Sequence, residues 1–236
     1  MELSRTIPTL TGPSAVALGL FDGVHLGHRA VIGRAVSRAP QLFPIVFTFS
    51  YDSPKEVTKP GFANILSPSR KEAILQRLGV QLVCKPLFSV VRDLEPEIFF
   101  TEILQKKLKA EAIFCGEDYR FGKGAAGDVK LLRALCRKAG IAFETVPAVL
   151  DGGEPISSTR IRALLREGRM EDAARLLGEP YAIDYPVSHG RQLGRKMGYP
   201  PSTSCTLPAT CCPGTGSMLP WLLSGARPIP PSPTSG

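Results

Sequence analysis

No stretch of this 236-residue chain approaches the roughly 20 consecutive apolar residues that a membrane helix needs. The opening MELSRTIPTLTGPS lacks the apolar run of a secretory leader. C-x-x-C spacing is missing too. The six cysteines (Cys84, Cys115, Cys136, Cys205, Cys211 and Cys212) therefore read as free thiols in a reducing compartment, not as a metal or disulfide framework. Histidine is scarce: besides His25 and His28 there is only His189, which argues against a structural zinc. Acidic residues are absent after Asp184, so the net charge of +8 partly belongs to the C-terminal segment. Without an aromatic-interleaved basic stripe, diffuse charge is a poor basis for nucleic-acid binding. At 43% apolar residues the chain holds enough for a buried core. The expectation is a soluble, cytoplasmic globular protein that serves small molecules, with no membrane or nucleic-acid partner. Its oligomeric state is left open.

Apolar runs and helical spacings alternate along the chain. Strands are predicted at 15–21, 44–50, 81–87, 111–116 and 141–149, the first of them almost wholly apolar. Helices are predicted after each. One is capped by Ser67 with Pro68 at its first position, and another places Ile98, Phe99, Ile103, Leu104 and Leu108 on its inner face. Two short helices follow, each ending at a glycine. Such an order makes an α/β fold, a doubly wound parallel sheet with helices on both faces. Ligands then bind at the carboxyl ends of the strands, where strand order reverses.

Two clusters fall at such places. The first strand runs into Gly19-Leu20-Phe21-Asp22-Gly23-Val24-His25-Leu26-Gly27-His28. Gly23 and Gly27 allow a close backbone approach. His25 and His28 are three apart, so both imidazoles share one face of the first helical turn. That turn also offers free N–H groups and the positive end of the helix dipole. The combination suits phosphate, especially phosphate gaining charge. Asp22 is placed to hold a Mg²⁺ hydration shell or to orient a ligand amide. The second cluster is Ile156-Ser157-Ser158-Thr159-Arg160-Ile161-Arg162, with Ser157 or Ser158 as helix cap. Arg160 and Arg162 do not share a helix face, so one is expected on phosphate and the other on packing or a neighbouring loop. The plainer alternatives are ordinary capping or surface histidines and an ordinary capped helix.

G-x-F-D-G-V-H-x-G-H at 19–28 followed by I-S-S-T-R-I-R at 156–162 resembles the nucleotidyltransferase superfamily with the H-x-G-H signature. More narrowly, FTFSYDSPKEV (47–57), GEDYRFGKGAAGDVKLL (116–132) and ISSTRIRALLREGRMEDAARLLGEPY (156–181) resemble the N-terminal half of bacterial bifunctional riboflavin kinase/FAD synthetase. The resemblance implies a Rossmann-like fold and adenylyl transfer from ATP to FMN with Mg²⁺, giving FAD and pyrophosphate. It assigns His25 and His28 to the ATP phosphates, with Gly19, Phe21, Asp22 and Gly23 lining the adenosine and phosphate crevice. Ser157, Ser158, Thr159 and Arg162 would grip the β- and γ-phosphates. Asp118, Tyr119, Arg120 and Phe121 match a flavin-contacting loop, with Phe121 packing the ring and Arg120 alternatively meeting the FMN phosphate. Ser53 stands where the family has His or Asn before Pro54, which implies weaker ATP or FMN binding.

The domain expectation is a nucleotidyltransferase unit at 1–180, a riboflavin kinase stub at 181–200 and a non-globular tail at 201–236. The stub's match runs through Gly198-Tyr199-Pro200, and then Pro201 stands where a Thr is expected, with Thr203 or Ser204 near an Asn position. Residues 200–236 hold nine prolines and no periodicity, the edge a reading-frame shift near codon 200 would leave. Riboflavin kinase activity is expected to be absent. The alternatives are a nucleotidyltransferase for another phosphorylated acceptor and an inactive nucleotide-binding remnant.

Overall fold

A computed structural model describes residues 1–50 and 64–184; Ser53, the expected stub beyond Asp184 and the tail lie outside them. Among the described residues six strands form one sheet: β1 (Glu2–Ser4), β2 (Ser14–Leu18), β3 (Phe43–Phe47), β4 (Leu82–Cys84), β5 (Ala110–Gly116) and β6 (Ala142–Val146). Their order is β1-β4-β3-β2-β5-β6, and every pairing is parallel. From β2 the chain winds outward to β3 and β4, then crosses back to β5 and β6. The reversal therefore lies between β2 and β5, where a crevice opens at the strand ends.

Strand β2 is fully buried because both its faces are covered. Ala15 and Ala17 pack with α1 (Leu26–Val36), α2 (Pro68–Arg77), α6 (Ser158–Arg166) and α7 (Met170–Leu177). Val16 and Leu18 point to the other layer, with α5 (Val129–Ala139) and the helix that begins at α4 (Pro96–Ile98). Helix α3 (Phe88–Arg92) adds Val91 to that second layer. Cys84 and Cys115 are buried on strands and Cys136 on α5, all as free thiols.

The structure amends the predicted elements at several points. Strand β1 adds a short sixth strand at the sheet edge, paired to β4, from a segment with too few residues to show a period. Strand β2 stops at Leu18, because the chain then enters a turn where Phe21 has φ 51° and Val24 φ 40°. Helix α4 continues as a π-helix over Phe99–Lys107, whose wider turn buries Phe99, Phe100, Ile103 and Leu104. Leu108 is buried at its end, but Ile98 is turned outward and 47% exposed, contrary to the expected inner face. Finally, β7 (Leu150–Asp151) and β8 (Glu154–Pro155) make a small hairpin around Gly152 and Gly153, both at positive φ. Ser67 caps α2 and Gly178 closes α7 in the left-handed conformation, as the sequence predicts.

Candidate active site

The loop leaving β2 and the N-terminus of α6 meet at the crevice. Asp22 joins them. Its Oδ1 accepts from the Ile65 N–H at 3.1 Å, and its Oδ2 pairs with Nη2 of Arg162. Ser158 Oγ donates to the Asp22 carbonyl at 2.9 Å. A Cβ built on Gly27 would lie 3.6 Å from the Ile156 carbonyl and 3.2 Å from the His25 ring. Residues far apart in the chain, up to 140 positions for Asp22 and Arg162, thus share one wall.

His25 caps α1, its Nδ1 accepting from the His28 N–H at 3.4 Å. The two imidazoles stack, with centroids 3.6 Å apart and planes 22° from parallel. The Phe21 ring meets His28 edge-on at 5.4 Å. His28 Nδ1 is buried, with no hydrogen-bond partner among the described residues. Burial lowers the His25 pKa to about 4. Burial, His25 and Lys71 hold His28 well below its ordinary value. Both rings are therefore neutral near pH 7, able to donate or accept a hydrogen bond but not to supply charge.

Gly19 and Gly23 shape the loop. A Cβ at Gly19 would strike the Phe21 ring at 2.9 Å, and Gly23 takes φ +83° against the Ile65 side chain. Thr48 Oγ1 and Lys71 Nζ both donate to the Leu20 carbonyl, at 2.9 and 2.7 Å. Lys71 is a crevice residue that the sequence reading missed. Its helix was legible, but nothing local says that α2 turns this ammonium toward a loop fifty residues earlier.

Several sequence-predicted residues take other positions than expected. Arg162 is 9% exposed and engages Asp22 instead of standing open to phosphate. Arg160 serves the neighbouring hairpin, with Nη2 2.9 Å from Asp151 Oδ2 and a further pairing to Glu154. The reason is local: the unforeseen β7–β8 hairpin places carboxylates within reach of it. Ser157 Oγ caps α6 by accepting from the Arg160 N–H, one of the two caps the sequence offers, and Thr159 is exposed. Asp22 is buried, and both its oxygens are taken. Burial pushes its pKa up, opposed by Arg162, the Ile65 N–H and Lys71.

The loop after β5 shows a similar correction. Phe121 is 5% exposed, packed on Phe99 at 5.8 Å and stacked with Tyr119 at 5.9 Å. Its backbone bonds both ways with Gly127, whose missing side chain leaves room for the ring. Phe121 therefore builds the loop from inside and offers no free ring. Asp118 and Arg120 are exposed, and Tyr119 is half-buried.

Among the described residues no group of three or more His, Cys, Asp or Glu side chains could hold a metal ion. With Asp22 committed to Arg162 and Ile65, these residues do not fit a protein-held Mg²⁺. A separate groove of about 340 Å³ lies between α6 and α7, lined by Arg160, Glu167, Arg169, Asp172 and Arg175 among others. It shares none of the histidine crevice. No described helix is long and apolar enough to cross a membrane.

Comparison with known proteins agrees with this architecture. The bifunctional riboflavin kinase/FMN adenylyltransferase of Escherichia coli K12 is 32% identical over 212 residues, covering 85% of this chain. The chain spans 66% of that relative's length. The FAD synthetase of Listeria monocytogenes is 34% identical over 205 residues, covering 82% of this chain and 81% of that protein. A crystal structure named as a macrolide-efflux protein from Streptococcus pneumoniae superposes with a TM-score of 0.74 at 31% identity. That superposition covers 91% of this chain and 71% of the other. The FAD synthetase family itself matches residues 7–160, well over half of the sequence and all of the sheet beyond its edge strand, so the chain belongs to the FAD synthetase family.

Proposed function

We propose that this chain is an FMN adenylyltransferase, making FAD and pyrophosphate from FMN and ATP. A phosphate oxygen of FMN attacks the α-phosphorus of ATP in line. The new P–O bond forms as the bond to the bridging oxygen of the β-phosphate breaks, and pyrophosphate leaves with the electron pair. No protein nucleophile is required; positioning and charge stabilisation carry the rate.

The observation that carries this reading is the junction of the stacked His25–His28 pair with the α6 N-terminus through Asp22, Ser158 and Gly27, at the strand-order reversal. Two helix N-termini there offer unpaired N–H groups to phosphate. The neutral imidazoles contribute hydrogen bonds to the oxygens of the reacting phosphate. Gly19, Gly23 and Gly27 let the phosphate-binding loop pack closely on Phe21, Ile65 and His25, and Ser157, Ser158 and Thr159 line the far side. Arg162 acts through Asp22, fixing the loop. Arg160 steadies the hairpin, while Asp118, Tyr119 and Arg120 form the flavin side. Mg²⁺ enters only as the ion accompanying ATP as substrate.

The test is incubation of the full chain with FMN, ATP and Mg²⁺. FAD and pyrophosphate should accumulate in equal amounts. Riboflavin with labelled ATP should give no FMN, since Pro201 replaces the threonine expected there. ATP binding without FAD formation would overturn the reading, as would faster transfer to another phosphorylated acceptor.

A further inference from the structure

A nucleotide triphosphate brings several negative charges into a crevice whose expected cations are otherwise engaged. The stacked imidazoles are neutral, and protonating either would set a cation against its neighbour at 3.6 Å. The Arg162 charge is met by Asp22 and that of Arg160 by Asp151. Lys71 is different. Its Nζ donates to the Leu20 carbonyl at 2.7 Å, which uses one of three ammonium donors. Among the described residues it forms no ion pair.

Lys71 is also held firmly. Ser67 caps α2 by accepting from the Arg70 N–H at 3.1 Å, and the Asp184 carboxylate takes the Ser67 and Ser69 hydroxyls. Glu179 gathers Arg70 and Arg77 from α2 and Arg29 from α1. The strap at 179–184 thus ties the helix that carries Lys71 to the helix that carries His28.

We propose that Lys71 is a substrate-binding and catalytic residue of this crevice, whose ammonium, anchored on the Leu20 carbonyl near the His25–His28 pair, binds the nucleotide's phosphate chain and neutralises charge gathering on the departing pyrophosphate. The proposal rests on the adenylyl-transfer reading for its catalytic half and on geometry alone for its binding half. Lysine keeps its proton throughout; the electron pair of the broken bond stays on pyrophosphate.

The charged groups around it are Lys85 after β4, Asp22 on the β2 loop, Glu72 on α2 and His28 on α1. Burial and Lys85 lower the Lys71 pKa to about 8, against Asp22 and Glu72. Since only the ammonium serves, activity should fall as pH rises through about 8.

The experiment compares the full-length wild type with Lys71→Met and Lys71→Arg. Calorimetric titration with inorganic pyrophosphate should show about tenfold weaker binding for Lys71→Met. Its kcat/KM for ATP should drop about 10²-fold with an unchanged unfolding midpoint. Lys71→Arg should restore most of both and move the basic limb of the pH profile upward, since guanidinium does not titrate there. A Lys71→Met variant that binds pyrophosphate and turns over FMN like wild type overturns the proposal while leaving the adenylyl-transfer reading intact. A wild type that makes no FAD yet loses pyrophosphate binding in Lys71→Met sinks that reading and supports the anion site.

Discussion

The Asp22–Arg162 pair offers the sharpest test of how this crevice is assembled. Asp22 is 6% exposed and Arg162 9%, so neither charge has much water to fall back on. In Arg162→Ala, Asp22 keeps the Ile65 N–H at 3.1 Å but loses its guanidinium. Removing one partner of a buried pair costs about 3–5 kcal/mol, mostly the penalty of the charge left behind. Asp22 can escape part of that cost by taking up a proton, toward which burial already pushes it. In the variant the folded-state pKa of Asp22 lies above its unfolded value. Its contribution therefore favours folding at low pH and is lost as pH rises through the folded pKa. The destabilisation should be smaller near about pH 5 than near about pH 7. Urea unfolding followed by circular dichroism, on wild type, Arg162→Ala, Asp22→Asn and the double variant, measures this. The double variant should be more stable than the sum of the single losses predicts by at least about 1 kcal/mol. Additive losses, or a loss below about 1 kcal/mol with no pH dependence, would refute the argument that this pair joins the two halves of the site.

Other outcomes follow from the same geometry. His28→Ala should lower turnover about 10²–10³-fold, the scale of losing one preorganised donor, and steady-state FAD formation checks it. His25 is held neutral with a folded pKa of about 4, below its unfolded value of 6.5. It therefore contributes stability above pH 6.5 that drains away as pH falls toward about 4, a span of about 3 kcal/mol. Urea midpoints for His25→Asn should show less acid sensitivity over that window. Gly127→Ala places a Cβ 2.7 Å from the Phe121 ring. It should cost about 1–3 kcal/mol by overpacking, seen as a lower thermal midpoint.

Much of this protein was legible before any coordinates. The apolar runs at β2 through β5 read as buried strands because both sheet faces are covered there, leaving no polar alternation to hide them. Ser67, Pro68 and Gly178 marked helix ends because capping is chemistry between residues a few positions apart. The His25–His28 spacing put two imidazoles on one face by the same local rule. What sequence could not decide was partnership over distance. Whether Arg162 faces solvent or Asp22, whether Phe121 looks out or in, and whether Lys71 enters the crevice depend on which elements the sheet order sets side by side. Helical period and propensity fix a side chain's face on its own element. Only the packing of α2 and α6 around the β2 loop fixes what that face meets, and through it the charge and water that each group keeps.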